Sequence, residues 1–161
     1  FNYYPYKEAF LLEHLARRLS EIEARLRAEC HSDCHSEYRT EHPSATPLER
    51  LYRLFDELAA LIEAERALVL PLGYELLNPD PERSRRAFEA LPLVAALQAH
   101  LGEAREAALV RSDFSLERLA RSLANSLFLT SLQWAAYRQD RSLRDELRKA
   151  LRLALEGMAE R

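Results

Sequence analysis

Apolar side chains recur at three- and four-residue steps through most of this chain, and that spacing leaves little room for any architecture except packed helices. Phe10, Leu11, Leu15, Leu19, Ile22 and Leu26 make one stripe of a helix predicted from Lys7 to Ala28, with Arg17, Arg18, Arg25 and Arg27 mostly on the other side. The same period returns in Leu51, Leu54, Phe55, Leu58, Leu61 and Ile62. Backbone freedom is scarce, since the 161 residues include only 3 Gly. Leu, Ala, Glu and Arg dominate, all good helix formers, and the β-branched residues that favour sheets are few. The expectation is an all-α protein of about six helices, long enough to bury a sizeable core.

Punctuation along the chain divides those helices. Thr46-Pro47-Leu48-Glu49 reads as a capping box with proline at the first helical position, so a second helix starts there and runs to about Leu68. Before it, His31 to Ala45 is polar and aperiodic and is predicted as a loop. Pro71 and Gly73 interrupt the next apolar run, predicting a short helix over Leu72 to Leu77 between two bends. Asp80 and Pro81 open a helix that carries Phe88, Leu91, Val94, Leu97 and Leu101 towards Val110, bent or interrupted near Pro92. Ser115 should cap the helix Leu116 to Tyr137, and Ser142 should start the last one.

The helix from Leu116 differs from the others. Leu116, Leu119, Leu123, Leu127, Thr130 and Trp134 make one stripe, and Phe128, Leu132 and Ala135 make a second. A helix apolar over so much of its circumference must be covered on two sides. The expectation is that a second copy of the chain covers one of them. The final helix adds a seam of Leu143, Leu147, Ala150, Leu151, Ala154, Leu155 and Met158, with Arg144, Arg148, Lys149 and Arg152 outside. The predicted dimer interface is therefore Leu127, Leu132, Trp134, Leu147, Leu151 and Leu155.

Charge and cysteine usage exclude several classes. A net charge of −3 at pH 7 and a pI near 6.0 argue against this portion being a nucleic-acid-binding body, which is usually basic. No apolar run approaches the ~18 residues that span a bilayer, and no signal peptide is visible, so no membrane partner and a cytoplasmic location are expected. The 2 Cys fall in one short segment, which does not suit a disulfide-stapled secreted protein. The isolated glycines form no phosphate loop, and Glu-x-x-His, the paired motif of di-iron bundles, does not occur. Neither an enzyme nor a cofactor is expected.

The N-terminus carries a more specific signal. Phe1-Asn-Tyr-Tyr-Pro-Tyr-Lys-Glu8 places tyrosine hydroxyls and an ammonium, groups that grip phosphate oxygens, where a turn hands over to a helix. It resembles the end of the DNA-binding domain in tetracycline-repressor (TetR) family transcription regulators, with Phe1, Tyr3, Tyr4, Lys7 and Glu8 on the family's positions. Tyr6 departs from the small cap usual before the lysine. The stretch Leu109-Val-Arg-Ser-Asp-Phe-Ser-Leu-Glu-Arg-Leu-Ala120, followed by Trp134, is similar to the family's penultimate helix and its lead-in.

The resemblance implies a division of labour. Residues 1–8 would end a helix-turn-helix domain whose main part precedes Phe1, and residues 9–161 would bind effector and dimerise through a four-helix bundle. Tyr3 and Lys7 would contact phosphates of double-stranded DNA. The expected function is a homodimeric regulator, a repressor released by a small-molecule effector. The effector pocket would lie among the helices Lys7–Ala28, Pro47–Leu68 and Pro81–Val110. Irregular packing around Leu70–Leu77 and Pro92 independently leaves room for such a cavity. Expected lining residues are Leu15, Leu19, Phe55, Leu58, Ile62, Tyr74, Phe88, Leu91, Leu97 and Phe128, with His14, Tyr52 and Asn125 as polar anchors. That lining suits a largely apolar effector.

Two other functions fit parts of the sequence. A helical dimerisation or scaffold module would need the bundle and no cavity. A metal sensor would use Cys30, His31, Cys34 and His35, which are zinc ligand types at a spacing no finger or ribbon uses. On a helix, Cys30 and Cys34 would share one face and His31 and His35 another, about 100° round. Metal binding is therefore not the leading expectation.

Overall fold

The computed structural model describes the backbone of residues 5–35 and 46–158, and the side chains of residues 9–28 and 46–158. The described residues form α1 (Pro5–His35), α2 (Pro47–Ala64), a 3₁₀ turn (Arg66–Leu68), α3 (Val69–Leu76), α4 (Pro81–Ala90), α5 (Leu93–Glu106), α6 (Leu116–Tyr137) and α7 (Leu143–Met158). No strand occurs among them. The all-α expectation is met, with seven α-helices where about six were expected.

Each difference in the helix boundaries has a local cause. α1 continues to His35, through a stretch predicted as loop, because no proline or glycine stands between Pro5 and Pro43. The capping box at α2 is complete: Glu49 N–H donates to Thr46 Oγ1 at 3.2 Å, and Thr46 N–H donates to Glu49 Oε2 at 2.6 Å. α3 begins at Val69, earlier than predicted, because Pro71 falls in the first turn, where backbone N–H groups lack helical partners anyway. Pro92 divides the expected long helix into α4 and α5, and the preceding Leu91 is extended at φ −94°, ψ 120° as a residue before proline prefers.

α5 ends on a strained residue. Ala108 N–H donates to Arg105 C=O at 2.9 Å and Leu109 N–H to Ala104 C=O at 2.9 Å. That is the paired closure usually built around a left-handed glycine. Here alanine holds φ 55°. Ala108→Gly should therefore stabilise the fold by about 1 kcal/mol, read as a rise of roughly 2–4 °C in thermal melting.

The core lies where α2, α5, α6 and α7 meet. Leu51, Leu54 and Phe55 of α2, Leu97 and Leu101 of α5, Leu123 of α6, and Leu143, Leu147 and Leu151 of α7 are among its largest fully buried side chains. Each contributes roughly 1.5–3 kcal/mol by leaving water. Polar ties set the register around it. Asp56 of α2 accepts from Arg144 at 2.6 Å and from Arg148 at 2.5 Å, and the Arg148 hydrogen bond leads in holding its carboxyl far below the usual range. Trp134 Nε1 donates to Arg141 C=O at 2.8 Å and pins the turn from α6 to α7.

Four residues expected at a dimer interface belong instead to this core. Leu127 and Trp134 are 5% and 7% exposed, and Leu147 and Leu151 are 0% exposed, within a single chain. Leu132 lies over Gly73 of α3, where an added Cβ would come within 2.7 Å of it. Leu155 is half-buried against the core. The second stripe of α6 is thus covered by the same chain, through α3 and Phe88 of α4. Sequence periodicity reveals that a face must be covered, and it is silent on which chain covers it.

Candidate functional site

The short α3 and the break at Pro92 keep two walls from packing ideally, and an apolar cavity of about 110 Å³ remains between them. Leu61 and Ile62 of α2 form one side, with Leu15 of α1 beside them. Leu68, Val69, Leu72 and Leu76 form a second wall along the 3₁₀ turn and α3. Phe88, Leu91, Leu93 and Val94 line the junction of α4 and α5. Ala124, Leu127, Phe128 and Ser131 of α6 complete it. Phe128 meets Phe88 edge-on, with ring centroids 6.4 Å apart.

One ionisable side chain reaches this lining, Glu65. Its carboxylate is held from α1: His14 Nε2 lies 2.8 Å from Oε2, and Arg18 Nε lies 3.5 Å from Oε1. Arg17 Nη2 stands 3.5 Å from His14 Nδ1. These contacts are satisfied by a neutral His14 with its proton on Nε2, donating to Glu65 and accepting from Arg17. Ser131 Oγ is committed to Leu127 C=O at 2.8 Å. The cavity is thus greasy throughout, and the carboxylate of the one ionisable residue on its lining is bonded to α1.

A second tie anchors α1 deeper in the fold. Glu23 and His100 are each 8% exposed, and His100 Nε2 lies 3.2 Å from Glu23 Oε1. The His100 hydrogen bond leads in holding the Glu23 carboxyl below its ordinary value, against a burial effect that raises it. α1 is therefore clipped to α2 at Glu65 and to α5 at His100.

Of the residues singled out from sequence, Leu15, Ile62, Phe88, Leu91 and Phe128 come together on the cavity. His14 stands one step behind, through Glu65. Leu19, Phe55, Leu58 and Leu97 lie in the packed core, and Tyr52 packs half-buried against it. Tyr74 faces outward at 78% exposure, and Asn125 is exposed. Glu65 was not singled out, although a signal was present. Leu58, Leu61, Ile62 and Glu65 follow the three- and four-residue step of a buried face. Tyr3 and the side chains of Lys7, Cys30, His31, Cys34 and His35 lie outside the described residues.

A second concavity, an open groove of about 700 Å³, runs between α6 and α7. Leu129 and Leu153 stand on it at 52% and 67% exposure. Ala150, Ala154 and Gly157 keep its α7 side low. Ser122, Ser126 and Gln133 supply polar groups along α6. At one end the guanidinium carbons of Arg111 and Arg118 lie 4.7 and 5.3 Å from the Phe114 ring centroid. Among the described residues no helix is long and apolar enough to cross a membrane, and no group of three or more His, Cys, Asp or Glu could hold a metal ion.

Residues 20–157 match the sequence model of the C-terminal domain of TetR/AcrR family transcriptional repressors. The chain is similar to Thermus thermophilus FadR, a TetR family transcriptional repressor whose crystal structure is in complex with lauroyl-CoA. The two share 46% identity and a TM-score of 0.84, over 100% of this chain and 77% of that one. The fold is shared with two Bacillus proteins at 16% identity. Bacillus halodurans FadR, a fatty acid degradation regulator, has a TM-score of 0.73 over 97% of this chain and 78% of that one. Bacillus subtilis FadR, in complex with stearoyl-CoA, has a TM-score of 0.70 over the same shares, 97% and 78%. No curated protein matches the chain.

Proposed function

The chain belongs to the TetR/AcrR family of transcriptional repressors, and from that premise we propose that it senses a fatty acyl thioester and releases DNA on binding it. The observation that carries this reading is the cavity, apolar on every wall. The relative at 46% identity is in complex with lauroyl-CoA, whose acyl chain has the chemistry such a lining takes up. Each methylene leaving water for it contributes about 0.8 kcal/mol.

The cavity of about 110 Å³ is smaller than the roughly 300–1,000 Å³ usual for ligand sites, so an acyl chain must part its walls. Leu15 lies on that wall and belongs to α1, and Glu65 joins the cavity edge to His14 and Arg18 on the same helix. Displacement of α1 is the proposed output. Residues 1–8 would close the DNA-binding domain, and residues 9–161 would sense and dimerise. Lys7 and Tyr3 would contact DNA phosphates. A second copy would dock on the groove between α6 and α7, setting two recognition helices about one DNA turn, ~34 Å, apart. A coupling of ~1–3 kcal/mol between effector and DNA would change affinity roughly 5- to 150-fold.

The test uses the full-length protein and an operator selected from a random-sequence library. Octanoyl-, decanoyl- and lauroyl-CoA should release the operator in fluorescence anisotropy, with potency rising about 3- to 4-fold per methylene. Release that does not depend on chain length, or no release, would overturn the acyl reading.

A further inference from the structure

Resting on the effector reading above, we propose that the buried Glu23–His100 pair is the fulcrum on which α1 turns. Movement started at the cavity is doubled by it at the N-terminal end of the helix.

α1 is held unevenly along its length. Leu19, Ile22 and Leu26 are buried in the core, and Glu23 stands among them. Towards the N-terminus the grip loosens: of residues 9–18 only Leu11 is buried, and Phe10 is 70% exposed. After Pro5 the helix contains neither proline nor glycine, the usual causes of a kink, so it moves as a rod.

The polar ties follow the same gradient. The side chains of Glu23 and His100 are each 10% exposed, against 24% and 21% for His14 and Glu65. Water can replace the outer tie at small cost, whereas the inner one has no water to exchange for. The inner tie therefore holds while the outer one yields. Glu23 Oε2 also lies 3.4 Å from Arg27 Nη2 on the same helix, which orients the carboxylate. His100 Nδ1 is buried and finds no hydrogen-bond partner among the described residues, so Glu23 is the ring's polar tether. The seat is firm, since Leu97, Leu101 and Ala104 of α5 are fully buried.

At a rise of about 1.5 Å per residue, Leu15 lies about 12 Å from Glu23 along the helix and residue 7 about 24 Å. Leu15 borders the cavity. An acyl chain that pushes it outward by about 1 Å swings residue 7 by about 2 Å, where a bodily shift of the helix would deliver about 1 Å.

The test measures lauroyl-CoA affinity by calorimetry in the full-length protein, free and saturated with the selected operator. The ratio of the two is the coupling factor. Glu23→Leu combined with His100→Leu keeps the bulk and removes the directed tie, a replacement buried pairs commonly tolerate. It should cut the coupling factor at least about 5-fold. Operator binding without effector should weaken about 10-fold, because α1 no longer rests in one orientation. Exchanging the two residues, Glu23→His with His100→Glu, rebuilds the tie from the opposite side and should recover both values to within about 2-fold.

A pair that served stability alone would shift the melting curve and leave the coupling factor unchanged. A double-leucine variant whose coupling factor stays within about 2-fold of the unaltered protein therefore overturns the proposal. So does a folded exchanged variant without coupling, and either variant decides if the other fails to fold. Failure of lauroyl-CoA to bind the unaltered protein is a different result, which refutes the acyl-effector reading. Operator binding then decides on the fulcrum, and an unchanged affinity in the double-leucine variant overturns it.

Discussion

Leu129→Arg combined with Leu153→Arg should leave the chain folded, abolish dimers, and lower operator affinity by at least about 100-fold. Both leucines stand more than half exposed on the groove between α6 and α7, at 52% and 67%. Arginine there costs an isolated chain little, and two guanidinium groups pressed into an apolar contact would block it. Affinity falls because a dimer engages its second half-site at a high effective concentration, an advantage commonly worth 10²–10⁴. Leu151→Arg, at 0% exposure, should instead unfold the chain, since the core there offers no partner for a buried cation. Light scattering and circular dichroism separate the two outcomes. If the double variant still runs as a dimer, the groove is not the contact between copies.

Ala124→Leu should make a repressor that no longer hears its effector. Ala124 is 6% exposed, and it lines the cavity. A leucine there extends three carbons into a void of about 110 Å³, competing with the acyl chain for the same space. Half-release should need about 30-fold more lauroyl-CoA, with operator affinity unchanged and the melting temperature a few degrees higher, as cavity filling usually gives. One turn away, Ala120 is fully buried and does not border the void. Ala120→Leu should overpack, costing about 1–3 kcal/mol. Comparable effector loss in both variants would mean that general strain, and not occupancy, lies behind the first result.

Residues that act through local rules were legible in the sequence. Thr46 to Glu49 form the capping box their identities specify, and Pro92 breaks the chain where a residue without an N–H must. The buried stripe of α2 from Leu51 to Leu61 follows its period. The site was partly legible for the same reason. Phe88, Leu91 and Phe128 sit beside irregularities that sequence can locate, and all three line the cavity.

Long-range packing was not legible. Leu19, Leu58 and Leu97 have the same character as Leu15, yet they fill the core while Leu15 borders a void. That difference is set by the angle between helices, which no local pattern encodes. Glu65 was missed because a charged residue at a helix end is usually solvated, and its partners lie 51 and 47 residues away on α1.

The covering of α6 by its own chain also bears on how repression would scale in a cell. With Leu147 and Leu151 buried within one chain, pairing through the groove would leave these contacts in place. Assembly is then governed by mass action alone, so the number of copies a cell keeps becomes an input beside the metabolite. At low abundance, promoter occupancy would rise with the square of the subunit concentration.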